Sequence, residues 1–187
     1  MAEDSPSWPM DLFMNDRDLP LLELQQGAEI PPPYRDLLVH MREMTPTLEA
    51  YYGSSIHIEP LQVLDGQLTF TREALLRLDS CDRVVEYGVL RAHLGLLSPE
   101  AVELLRARRV PMGTILARCG VTHSSSPSGF FRFRNPKFAA DKLCLVWDGW
   151  LYGRRNTLLN ESGRPLAEVC EILPPDAQTG GRDESGV

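Results

Sequence analysis

The chain lacks any apolar run approaching the length of a membrane span, and its first residues lack the basic-then-apolar pattern of a secretory leader. It lacks close cysteine pairs: Cys81, Cys119, Cys144 and Cys170 are widely spaced, with no C-x-x-C. His40, His57, His93 and His123 show no zinc-ligand spacing with one another or with the cysteines. Buried thiols are therefore expected, rather than disulfides or a structural metal. No Gly-rich phosphate loop, G-x-S-x-G or H-E-x-x-H occurs, and the nearness of Cys119 to His123 is too little to make a nucleophile and its base. A basic excess is missing too, since the net charge is −7. These absences point to a soluble cytoplasmic protein without nucleic-acid or membrane partners.

What is present is a sizeable apolar fraction, 43%, in 187 residues, enough for one cored domain with flanking segments. The acidity sits at the ends. Residues 1–33 hold seven acids, one base and six of the 15 prolines, while the last dozen residues are again acidic. The first segment reads as an acidic, Pro-rich arm, extended or disordered, with Trp8, Leu12 and Phe13 available to dock. Residues 176–187 read as a disordered tail. Between them, 34–175 forms the domain, with nearly balanced charge.

Within the domain, Arg35 to Glu43 and the stretch after Thr45-Pro46 predict a helical hairpin, ended by Gly53. Ser55–Val63, Gln67–Leu78 and Arg83–Leu94 predict an antiparallel meander, turned first at Asp65-Gly66. Ser98-Pro99-Glu100 opens a helix to about Arg108, and a short helix follows Pro111-Met112-Gly113. Gly120 to Gly129 reads as a loop. Leu143–Trp147, Leu151–Leu159 and Pro165–Leu173 predict further strands, the last two forming a hairpin. The fold class is α+β, a single antiparallel sheet of about six strands with helices inserted between hairpins.

Arg72 breaks the pattern of its strand. Strand side chains alternate faces, so it shares one with Leu68, Phe70, Ala74, Leu76 and Leu78. A charge there is costly unless paired, and a guanidinium fork suits a carboxylate, either the protein's own or a ligand's. Arg154 and Arg155 are adjacent in a strand, so at most one faces the core, and Gly153 beside them allows close backbone approach. In the last strand, Glu171 shares a face with Ala167, Val169 and Leu173, whereas Glu168 falls with Leu166, Cys170 and Ile172. At least one of these glutamates faces an apolar surface, as general acid, hydroxyl anchor or salt-bridge partner.

Met44-Thr45-Pro46-Thr47-Leu48-Glu49, Arg72-Glu73-Ala74-Leu75-Leu76, Arg109-Val110-Pro111-Met112-Gly113 and the hairpin from Leu151-Tyr152-Gly153-Arg154-Arg155-Asn156 to Ser162-Gly163-Arg164-Pro165-Leu166 occur in that order. In this order they resemble chorismate pyruvate-lyase, over roughly residues 37–175. The resemblance implies the chorismate-lyase-like fold and cleavage of chorismate to 4-hydroxybenzoate and pyruvate without metal or organic cofactor. It implies that Arg72 grips the ring carboxylate and that Glu171 meets the ring oxygen and serves as proton donor. Both would be catalytic. Met44 and the backbone at Met112 would line the pocket, and Arg155 would neutralise a second carboxylate. Two departures stand out: Met112 replaces a leucine, and the family glutamate falls between Cys170 and Glu171, so that a bulge is needed.

Other functions compatible with these residues are a same-fold enzyme acting on another small carboxylate in specialised metabolism, a non-catalytic module binding a small carboxylate, and an interaction protein using the acidic arm. The effector-binding domains of some transcription regulators share this general sheet architecture. The expected partner is a small-molecule carboxylate, and the expected state is a monomer, with the arm as the route to any oligomer.

Overall fold

The computed structural model describes residues 7–15 and 17–175. Seven strands form one antiparallel sheet: β1 (Glu23–Gln25), β2 (Ile56–Asp65), β3 (Thr69–Leu78), β4 (Val84–His93), β5 (His123–Phe133), β6 (Leu151–Asn160) and β7 (Pro165–Leu173). Their order across the sheet is β1-β5-β6-β7-β4-β3-β2. The expected meander is thus one half of the sheet, and the closing hairpin pairs with it through β7 and β4. The chorismate-lyase-like α+β class holds.

Both faces of the sheet are covered. On the front, α1 (Tyr34–Leu38) and α2 (Met44–Tyr52) bring Leu38, Met44 and Leu48 onto Ala74, Leu76 and Leu173. Beside them, α3 (Pro99–Arg106) and α4 (Met112–Arg118) pack Leu105, Met112 and Ile115 onto Phe70, Leu90 and Leu158. Ser98 caps α3 as expected, accepting from the Ala101 amide at 3.2 Å. On the back, α5 (Pro136–Leu143) sets Phe138 and Leu143 against Leu75, Tyr87, Cys170 and Ile172. There the buried Glu73 accepts from the Tyr87 hydroxyl at 2.6 Å and from Lys142 at 2.5 Å. Burial and the neighbouring Glu73 carboxylate push the Tyr87 phenol well up.

Three expectations change. The Ser-rich stretch expected as a loop is β5, paired along its length with β6 and interrupted only between Pro127 and Gly129. Its serines carry no apolar alternation, but the ladder to β6 fixes them, and Pro127 sits where that ladder is irregular. The strand expected at 143–147 does not form. Asn135 caps α5 by accepting from the Phe138 amide at 2.9 Å, Pro136 fills its first position, and the helix runs to Leu143. Finally, the arm is part of the fold. Met10 is fully buried in the back core, Ile30 enters the front core, and Arg91 stacks over the Trp8 ring at 5.0 Å. The tail expected at 176–187 lies outside the described residues.

Gly153 on β6 shows how closely these layers meet. A Cβ there would stand 2.6 Å from the Phe131 ring and 2.6 Å from the Glu171 carbonyl oxygen. Gly153→Ala should therefore cost about 1–3 kcal/mol of stability. The check is the urea midpoint, which should fall at unchanged slope. An unchanged midpoint would show that Phe131 can step aside.

Candidate functional site

A cavity of about 80 Å³ lies on the front face of the sheet. Its floor comes from five neighbouring strands: Ile58 of β2; Arg72, Ala74 and Leu76 of β3; Glu86, Gly88 and Leu90 of β4; Val169 and Glu171 of β7; and Asn156 and Leu158 of β6. Glu43, Met44 and Thr45 at the start of α2 and Pro111, Met112 and Gly113 at the start of α4 form the rest of its wall. Strand alternation explains the floor, since every second residue of each strand points the same way.

Arg72 is 5% exposed. One of its donors reaches the Val110 carbonyl at 3.3 Å. Among the described residues no carboxylate pairs with it, so the internal partner that the sequence left open is not there. Burial alone pulls its pKa down to about 10, which still leaves it charged at neutral pH. A buried, charged fork with most donors unused faces the cavity.

Glu171 and Glu168 occupy opposite faces. Glu171 lines the cavity, whereas Glu168 meets His93 at 2.8 Å and Arg91 at 3.7 Å. Glu171 accepts from Arg154 Nε at 2.5 Å. Arg154 is fully buried and also donates to the carbonyls of Leu38 (3.1 Å), His40 (3.0 Å) and Arg42 (3.3 Å). One side chain thus ties the linker between α1 and α2 to the floor of the site. The role expected of Arg155 is corrected here. Arg155 sits across from Cys170, whose side chain is in the back core, and does not line the cavity; Arg154 points to the front instead.

Met44 and Met112 do line the cavity, 4% and 6% exposed. Glu43 spans the mouth. It pairs with His123 of β5 at 2.7 Å and lies so close over Gly113 that a Cβ there would fall 2.0 Å from its carboxylate. A side chain at 113 would push the Glu43 carboxylate out of this position.

Glu86 was not foreseen. It is 3% exposed, its Oε2 is buried without a hydrogen-bond partner, and it faces the cavity. Burial first, and then the neighbouring Glu171 carboxylate, push its pKa well up against the opposing pull of Arg154. Its protonated form is thereby favoured. The signal was available: Glu86 alternates with Gly88 and Leu90 as Arg72 does with Ala74 and Leu76. Nearby, Ser125 donates to the Asn156 carbonyl oxygen at 3.0 Å and fixes that amide at the cavity edge.

Among the described residues no group of three His, Cys, Asp or Glu side chains could hold a metal ion. The thiols are not uniformly buried as expected: Cys81 and Cys144 are exposed, and only Cys170 is in the core, where burial pushes its thiol up. No described helix is long and apolar enough to cross a membrane.

No family model matches the sequence, and no curated protein matches it. Solved structures do match in fold. PhnF from Mycobacterium smegmatis superposes with a TM-score of 0.58 at 10% identity, over 74% of this chain and 66% of that one. The isolated effector domain of PhnF gives 0.57 at 10% identity, over 75% of this chain and 93% of the domain. Gene product SA0254 from Staphylococcus aureus gives 0.54 at 11% identity, over 73% and 90%. The chain spans about two thirds of full-length PhnF and nearly all of its effector domain. Identities this low establish the shared fold alone.

Two outcomes follow from the Arg154 cluster. Arg154→Ala should cost about 3–5 kcal/mol, because Glu171 is left as an uncompensated buried charge. Replacing both, Arg154→Met with Glu171→Leu, should recover most of that loss in a denaturant titration. The second outcome concerns pH. The His40 Nε2–H donates to the Leu37 carbonyl at 2.7 Å, while Nδ1 accepts from Arg154 and from the Arg42 amide. Burial, then Arg154, hold its pKa below the ordinary 6.5. The unfolded chain thus binds a proton that the folded one resists, so His40 contributes stability above pH 6.5 that is lost as pH falls through the depressed value. The melting temperature should drop between pH 7.5 and pH 5.5, and His40→Gln should flatten that part of the profile. A slope unchanged by the substitution would assign the drop to other groups.

Proposed function

We propose that this chain is a small-molecule-binding domain whose ligand is a carboxylate held by Arg72. The observation that carries this reading is the buried Arg72 guanidinium, charged, facing the cavity, and paired with no carboxylate among the described residues. An arginine removed from water with most donors idle is costly, and a ligand carboxylate accepting two of them would offset that cost. The fold it shares with the effector domain of PhnF supports a binding role. The ligand enters past Met44, Met112 and the Glu43–His123 latch.

Elimination of pyruvate from chorismate is less well supported. That role asks Glu171 to hold and deliver a proton, and its carboxylate is already committed to Arg154. Binding without turnover needs only Arg72 and a closing lid.

The experiment has two arms. Incubation with chorismate should release no pyruvate or 4-hydroxybenzoate above the uncatalysed rate, and release would restore the lyase reading. Benzoate and 4-hydroxybenzoate should raise the melting temperature of the full chain. Arg72→Gln should weaken that binding by about 2–5 kcal/mol, the usual cost of truncating one partner of a buried charge pair. Equal binding by the variant would remove Arg72 from the site.

A further inference from the structure

The floor of the cavity holds two buried ionisable groups of opposite kind, neither with a charged partner of its own. Arg72 has only the Val110 carbonyl, and Glu86 leaves Oε2 without any hydrogen bond. They do not pair with each other. Register places them well apart: Arg72 lies opposite Leu90 and Glu86 opposite Leu76, four residues further along the same strand pair. Four residues of rise and one strand of sideways offset separate the two backbones by about 14 Å. Strand side chains stand roughly perpendicular to the sheet. A ligand lying along the floor would therefore present one end to each group.

The two ends differ in sign. The Arg72 end is positive, with no acid beside it. At the other end two carboxyls, Glu86 and Glu171, face one cation, Arg154, which is spent on Glu171 and three backbone carbonyls. The remaining acid near the cavity, Glu43, is occupied by His123. A second carboxylate on the ligand would meet acids there.

Resting on the carboxylate-binding reading, we infer that the ligand is a zwitterion: its carboxylate sits on Arg72 and a protonated nitrogen at its far end sits on Glu86. Burial and Glu171 disfavour the charged form of Glu86. An incoming ammonium supplies the missing counter-charge, favours the carboxylate and forms the ion pair. The cavity of about 80 Å³ is smaller than the roughly 150 Å³ that holds a benzene ring, so a ring-sized ligand must displace the lid, whereas a linear one asks less of it.

The test uses matched probes with the full chain in calorimetric titration. One pair is 5-aminopentanoate against pentanoate, the other 4-(aminomethyl)benzoate against 4-methylbenzoate. In at least one pair the amine should bind tenfold tighter or more. Glu86→Gln should shrink that preference to within threefold. If plain carboxylates bind and neither amine gains, the zwitterion inference fails and the Arg72 reading stands. If no carboxylate binds, both fall. The wild-type comparison decides the matter even if Glu86→Gln does not fold.

Discussion

The contact that organises this molecule is the fully buried Arg154, held between Glu171 on the neighbouring strand and the carbonyls of residues 38, 40 and 42. A guanidinium can satisfy several acceptors in one plane, and here they come from two layers of the fold. The linker it holds leads directly into Glu43 and Met44, which wall the cavity. Breaking the contact would free the lid and leave Glu171 uncompensated in the floor. Its first role is thus structural.

That arrangement leaves the site with an unusual distribution of charge. Of two arginines facing the front of the sheet, one is fully spent on the protein and the other nearly unspent. Of two carboxyls, one is ion-paired and the other is buried with an oxygen that has no hydrogen-bond partner among the described residues. Pairing Arg72 with Glu86 internally would have closed the account and left an ordinary core. Register prevents it, because four residues of strand separate them. The resulting mismatch of solvation persists until a ligand resolves it. The lid geometry follows the same logic: Gly113 accepts the Glu43 carboxylate against its backbone, so the acid nearest the mouth is turned away from the ligand and onto His123.

Much of this was legible in the chain, for reasons that can be named. A period of two put Arg72 in the apolar register of its strand and set Glu171 and Glu168 on opposite faces, because alternation in a strand is rigid; which glutamate shares the face of Arg72 depends on the pairing between strands. The same rule could have found Glu86, hidden only by the less apolar neighbours Tyr87 and Gly88. Which of Arg154 and Arg155 faces inward was not readable, since alternation says only that they differ; packing of Gly153 against Phe131 decides it. Strand β5 was missed because its serines have no hydrophobic period and are ordered by the ladder to β6. The start of α5 was written as Asn135-Pro136, but the strand-like runs on both sides concealed it. Met10 docks on a core assembled from residues more than sixty positions away, and the core that Ile30 joins reaches from Tyr34 to Leu173, which no local pattern reports.

The difference between a catalyst and a receptor on this fold reduces to where a proton resides. Elimination requires a proton-bearing acid at the atom from which the bond departs, and a carboxylate tied to Arg154 is poorly suited to supply one. The acid whose protonated form burial favours is Glu86, which lies on a different strand from the glutamate that the family resemblance picks out. A group kept neutral by burial and by a like-charged neighbour responds most strongly to an incoming cation, because the same low dielectric that suppresses its ionisation strengthens the pair once formed. The electrostatics of the floor therefore favour recognition of both ends of a small molecule over cleavage of its middle. On this view Arg72 and Glu86 act as a matched pair whose separation measures the ligand.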